Sequence, residues 1–351
     1  MLKSKALLGV ILLIVLCAAA WAEDFQLIDN WKLQNPIYGW AFPSLTDQHG
    51  NIIGAFFKVG IIIIDREKRT DFARPGEGPG DLMDFMGICE YQGNVAVLEH
   101  AGRIKVFTFK TGKYEWKENV WLKQGSYMQR VNNLLFFNGK WFLAGHKTLA
   151  FDKNKMERTV AFLAVHERDG KHMKDLIATT DKKGHFRQYF LMNFYIVGEG
   201  KNLFFLAENE LTAHVLSADG LSIQRAIKLE TPPFYKPVPK EFYDEKDYNK
   251  EPPDQFDIDS ETWKTGYSRI TQAVADSGYL VVQVRTGDKK LKKFALLCYD
   301  AGTLKLKKTV FINDMLLNAR LGKYYFIKNG DPSLDEEADE ETVINCYTWK
   351  K

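Results

Sequence analysis

No charge of either sign dominates this sequence: 48 Lys and Arg stand against 45 Asp and Glu, a formal net charge of +3. That balance gives no global field for nucleic acid or an anionic bilayer, and neither is expected as a partner. Cysteine is scarce, with four residues, one of them (Cys17) inside an apolar leader. Cys89, Cys298 and Cys346 remain, an odd number that allows at most one intramolecular disulfide. All three lie in apolar strand-like runs (GICEY, LLCYD, INCYT) and are read as buried, inert thiols. If a pair forms, it is Cys298 with Cys346. The seven histidines show neither His-Glu-x-x-His spacing nor a zinc-finger arrangement with cysteine, so no metal ligands are assigned. There is no Gly-x-Ser-x-Gly elbow. Convincing helical periodicity is missing throughout.

The one long apolar run, Ala6–Ala20, is short of the roughly 20 residues that a bilayer span needs. Lys3 and Lys5 precede it, and Ala20-Trp21-Ala22 offers a cleavage site before Glu23. Residues 1–22 therefore read as a signal peptide, and the expectation is an exported protein, periplasmic or extracellular, beginning at residue 23. An uncleaved anchor and lipidation at Cys17 are the alternatives; Leu16 before that cysteine is not the small residue lipidation favours. Without the two leader lysines the charge falls to 46 basic against 45 acidic residues.

What the chain has in quantity is a repeating rhythm. Turn glycines open an apolar run at Gly50, Gly93, Gly139, Gly200, Gly278 and Gly322, and each run is followed by a second ending in charges or a turn. Most are preceded by a third apolar stretch, such as Phe85–Tyr91 or Tyr267–Ala275. This is an antiparallel strand–turn–strand unit, and it occurs six times. Four-stranded units recurring at about 40–50 residues predict propeller blades. The fold class expected is all-β: a six-bladed β-propeller of four-stranded antiparallel blades over residues 23–351. Phe25–Leu33 is the spare strand that would complete the last blade, so that N- and C-terminal strands close the ring. Residues 231–265, rich in Pro, Tyr and charge, read as a surface insertion. Its aromatic pairs, Phe234-Tyr235 and Phe242-Tyr243, either form a contact patch or pack the insertion onto a blade. Two β-sandwich domains are the competing architecture.

Val95–Lys113 (VAVLEHAGRIKVFTFKTGK) carries an apolar strand ending in an acid, a short turn, Arg-Ile, a second apolar strand and a Gly turn. It resembles the NHL-repeat pattern, with Glu99 where Asp is usual. Gly76–Leu82 (GEGPGDL) is similar to the GxGPGEF-type loop of exported bacterial six-bladed β-propeller proteins, with Asp81-Leu82 replacing Glu-Phe. The resemblance implies a fold far more firmly than a function.

In such blades the loop entering each innermost strand and the turn between second and third strands share one face. That places Arg74, Glu77, Asp81, Glu99, His100, His146, Glu208 and Arg285 around one rim, together with Lys58 and Lys328, as candidate ligand-binding residues. Solvation alone would also account for charges at strand ends. The glycine-rich loop lacks the Gly-Lys-Ser/Thr ending of a P-loop, and its glycines are read as serving backbone geometry. The acidic run 331–341 does not match an EF-hand and reads as a solvated hairpin loop, with calcium binding as the alternative there. The expected function is binding of a protein, peptide or glycan by a monomer, without a cofactor. The alternative, implied by likeness to six-bladed propeller enzymes, is a metal-dependent lactonase or lyase using Glu99, Glu208 and Asn209. A structural module of an envelope complex is the third reading.

Overall fold

The computed structural model describes residues 25–349 apart from 34–39, 57–59, 67, 74–75, 77, 79, 83–84, 100–101, 124–128, 150–157, 179–192, 240–250, 253, 289 and 329–341. The leader and the acidic run 331–341 lie outside the described residues. Six four-stranded antiparallel sheets form the blades of a propeller. Blade 1 is β2 (Trp40–Thr46), β3 (Ile52–Phe56), β4 (Gly60–Asp65) and β5 (Lys68–Ala73). Blade 2 is β6 (Phe85–Tyr91), β7 (Asn94–Glu99), β8 (Arg103–Lys110) and β9 (Lys113–Trp121). Blade 3 is β10 (Gln129–Phe137), β11 (Lys140–Leu149), β12 (Arg158–Glu167) and β13 (His172–Ala178). Blade 4 is β14 (Phe194–Glu199), β15 (Asn202–Ala207), β16 (Thr212–Leu216) and β17 (Ile223–Lys228). Blade 5 is β18 (Ile270–Asp276), β19 (Tyr279–Arg285), β20 (Phe294–Asp300) and β21 (Leu306–Ile312).

The last blade closes the ring as the sequence predicts. It takes β22 (Met315–Arg320), β23 (Lys323–Ile327) and β24 (Val343–Trp349) from the C-terminal end, and β1 (Phe25–Lys32) from the other. Phe25 stands opposite Trp349 and Lys32 opposite Val343. Phe25 stacks on Tyr347 with ring centroids 5.0 Å apart and lies 4.5 Å from the Trp349 ring. This ring of single sheets excludes the two-sandwich alternative.

Burial follows strand position. The second strands read as continuous apolar runs because a neighbouring blade covers each face: β19 is buried from Leu280 to Arg285. Outermost strands are covered on one side at most, and β17 and β9 are largely exposed or half-buried. The core is therefore interblade. One cluster joins Leu45, Ile53 and Ile63 of blade 1 to Ile88, Val97 and Phe107 of blade 2, and the others join blades in the same way. In four blades the hairpin between first and second strands turns tightly on two residues of positive φ, as at Asn138-Gly139 (48° and 77°), the type I′ geometry suited to strand twist.

The three cysteines among the described residues are buried and free, so Cys298 and Cys346 share a core cluster without a bond. Burial raises each thiol, Cys346 to about 11. The insertion, by contrast, departs from expectation. It contains a helix, α1 (Gln255–Gly266), with Asp257 in its first turn and Lys264 in its last, as the helix dipole favours. No apolar stripe announces it: Ile258 is half exposed, while Trp263 is buried against Val238 and Tyr267. Phe234 packs on Phe311 at 5.0 Å and Tyr235 is partly buried, so this aromatic pair ties the insertion to blade 5. Phe242-Tyr243 lies outside the described residues.

His166 is buried in blade 3, and neither ring nitrogen has a partner among the described residues. Its ring meets His172 edge-on at 5.2 Å, and His172 Nε2 lies 2.9 Å from Asp175 Oδ1. Burial first, then the His172 charge, lowers its pKa from 6.5 to about 4, with Asp175 opposing. Between those values the unfolded chain binds more protons than the folded one, so stability is complete above pH ~6.5 and falls as the pH drops towards ~4. The expected loss is about 3 kcal/mol. Urea denaturation midpoints at pH 7 and pH 4.5 should diverge less for His166→Leu than for the parent chain; equal divergence would show that other groups carry the acid sensitivity.

Candidate functional site

The six innermost strands, β2, β6, β10, β14, β18 and β22, contact one another around the ring and wall a central cavity of about 580 Å³. Call upper the face that carries the connections into these strands and the turns between second and third strands. In every inner strand except β14 the described register slips once, near the upper end or the middle. A bulge leaves backbone groups outside the ladder, and side chains of adjacent blades take them up. Leu317 O, at the β22 bulge, accepts from Ser44 Oγ at 3.1 Å and from Gln272 Nε2 at 3.0 Å, joining blades 5, 6 and 1. Gln283, fully buried, accepts from Leu316 N at 2.9 Å and donates to Asp314 O at 2.9 Å. Asn132 Nδ2 donates to Asn193 Oδ1 at 3.3 Å.

Charged groups mark both ends of the cavity. At the lower end Arg320 pairs with Glu90 and donates to Thr46 O at 3.0 Å, spanning blades 6, 1 and 2. At the upper end Glu208, just after β15, pairs with Arg269, just before β18. Both are buried, at 3% exposure each. Glu208 Oε2 also accepts from Asn193 N at 2.7 Å. Burial raises the Glu208 carboxyl despite the opposing Arg269 charge and the Asn193 amide. Arg269 Nη2 donates to Lys264 O in the last turn of α1 at 3.1 Å, and its guanidinium lies 4.2 Å from the Trp263 ring centroid. Trp263 and Lys264 thereby reach the cavity wall. Composition of the insertion gave no sign of this; only a buried tryptophan beside a strand start would have pointed to it.

The other predicted rim residues fall into different surroundings. Glu99 is buried, paired with Arg103 and 3.6 Å from Lys105 Nζ. Lys105 is itself buried and donates to Gly78 O at 3.1 Å and to Asp81 O, with burial lowering its pKa against the raising influence of Glu99. The glycine-rich loop closes on itself: Gly76 N donates to Leu82 O at 3.0 Å, and Gly78 N to Asp81 Oδ2 at 3.1 Å. Its glycines make room for the Asp81 carboxylate, since a Cβ on Gly76 or Gly78 would stand 2.8 or 2.6 Å from Asp81 Oδ2. Glu99 and Asp81 thus belong to a loop anchor in blade 2, while Glu208 lines the cavity and Glu99 does not. Arg285 is buried beside the upper end, its amide donating to Arg269 O at 2.8 Å. Lys328 is exposed. Arg74, Glu77, His100 and Lys58 lie outside the described residues, and of His146 only its place in β11 is described. Sequence reasoning missed Lys105; a lysine inside the apolar run RIKVFTF was the available signal.

A crystal structure of a Bacteroides fragilis protein classed as exported superposes with a TM-score of 0.55 at 11% identity, over 94% of this chain and 96% of that one. The likeness is one of fold. Lower TM-scores accompany the PQQ-bound aldose sugar dehydrogenase of Streptomyces coelicolor (0.49, 8% identity, 93% and 98% covered) and the Cps50 (Swd1) β-propeller domain of Myceliophteria thermophila (0.45, 7%, 93% and 100%). No protein-family model matches the chain, so the NHL-repeat likeness remains one of local pattern. No curated protein matches it in sequence either.

Glu99→Ala should leave two cations, one fully buried, without their carboxylate, at a cost of about 3–5 kcal/mol. The check is the urea midpoint, which should drop sharply; a change under about 1 kcal/mol, the size of an exposed pair, would mean that the cluster is solvated.

Proposed function

We propose that this chain is an extracytoplasmic binding propeller that receives part of a protein, peptide or glycan at the upper mouth of its channel. One observation carries the reading: a cavity of about 580 Å³ walled by all six inner strands and lined with side-chain amides, hydroxyls and two Arg–Glu pairs. Its size is within the roughly 300–1,000 Å³ of ligand pockets, and such a wall suits an uncharged chain of hydroxyls or peptide groups. Export is supported by the leader at residues 1–22 and by the export class of the Bacteroides fragilis protein. No helix among the described residues is long and apolar enough to cross a membrane.

The lactonase- or lyase-type alternative needs carboxylates free to take a metal. Glu99 and Glu208 are each held by a cation, and no group of three His, Cys, Asp or Glu among the described residues could hold one. Glycan and peptide arrays probed with the protein should give ligands whose affinity drops at least about tenfold in Asn132→Trp, which narrows the channel, with folding unchanged. Hits that survive this substitution would place binding elsewhere on the surface. Millimolar calcium should leave the Tm where it is; a rise of several degrees, the effect expected of a saturated site, would favour the metal enzyme.

A further inference from the structure

The two ion pairs that end the channel differ in their contact with solvent. Below, the Arg320 and Glu90 side chains are 29% and 42% exposed. Above, Glu208 and Arg269 are buried, and what lies against Arg269 is α1: Nη2 donates to Lys264 O and the guanidinium faces Trp263. Trp263 and Lys264 in turn line the cavity together with Asn193, Glu208 and Arg269. The helix therefore closes the upper mouth on the side between blades 4 and 5.

Its attachment is that of a hinged part. The chain enters the segment carrying α1 at Lys236 and returns at Ser268, and these two residues are tied across a narrow neck. Ser268 N donates to Lys236 O at 2.7 Å, Lys236 N to Ser268 Oγ at 3.0 Å, and Ser268 Oγ to Thr286 O at 3.1 Å. Beyond the neck the helix is anchored by Trp263 on Val238 and Tyr267, so its apolar contact is made within the same segment. Among the described residues, α1 bonds to the blades through Arg269. That residue is fixed on the blade side, because Glu208 holds its guanidinium and Arg285 N donates to its carbonyl at 2.8 Å. The helix has 12 residues, no side-chain bond at its N-cap and a half-exposed Ile258, so its surroundings and not its own sequence keep it folded. Segments tied to a fold by few buried contacts open well below global unfolding, and lids are drawn from them.

We propose that α1 is a hinged lid on the upper mouth of the channel, pivoting at the Lys236–Ser268 neck, with Arg269 as the latch that holds it shut. Opening breaks the Nη2 bond to Lys264 O and the contact with the Trp263 ring, and leaves the Glu208–Arg269 pair intact on the wall. This rests on the reading of the channel as a ligand site and adds how access to it is controlled.

The test is hydrogen–deuterium exchange of the full-length protein with no ligand added. Its outcome is therefore separate from that of the channel reading, which the arrays with Asn132→Trp decide. Amides of α1 should exchange more than about tenfold faster than those of β19, yet more slowly than in an unfolded peptide. A smaller gap would show that α1 opens only with the blade, and exchange at the unfolded-peptide rate would show that nothing holds it shut; either result overturns the lid. Arg269→Lys tests the latch, since an ammonium keeps a cation beside Glu208 but lacks the planar fork that reaches Lys264 O and Trp263 as well. It should speed exchange in α1 several-fold and leave β19 unchanged. Unaltered exchange in α1, or acceleration of α1 and β19 by the same factor, would overturn Arg269 as the latch. Trp263→Leu, which keeps the ion pair whole, is the second variant if Arg269→Lys does not fold, and the same two outcomes count against the latch.

Discussion

No blade of this propeller has a core of its own. A single twisted sheet has two apolar faces and nothing to cover them, so each blade is stable only as the cover of its neighbours. The consequence is a ring in which every interface needs the one before it. The pairing of β1 with β24 is then the decisive contact, because it completes blade 6 and leaves no uncovered face between blades 6 and 1. The stack of Phe25 on Tyr347 and Trp349 joins two segments that are distant in sequence.

The same constraint shapes the channel. Five of the six inner strands bulge where they converge on one axis, and bulged backbone needs partners that the ladder no longer gives. Ser44, Gln272 and Gln283 provide them from adjacent blades. The polar lining of the cavity is therefore first a requirement of closure. What the bulges do not call for is the buried Glu208–Arg269 pair at the upper end, with Trp263 and Lys264 of α1 held against it.

The blades were legible in sequence because their signals are local. Turn glycines, runs of β-branched residues and the spacing between them are dictated by hairpin geometry, and Phe25–Leu33 was recognisable as a spare strand for the same reason. The site was legible only in part. Glu208 stood out as a charge at a strand end, but its partner lies 61 residues away in the chain, and nothing local announces such a pair. Glu99 stood out equally and proved to hold a loop through Lys105, because a strand-end carboxylate looks the same in sequence whether it anchors a loop or faces a cavity. Helix α1 escaped because one buried tryptophan makes no periodicity.

The antiparallel closure also fixes an orientation. β1 runs from the lower face to the upper, so its first residue, Phe25, stands at the outer rim of the lower face, opposite Trp349. Glu208 and Arg269 open on the upper face. A molecule held to a surface through the segment before Phe25 would turn its hairpin face, with the Arg320–Glu90 pair, towards that surface. Its channel mouth would point away, like a cup standing on its base.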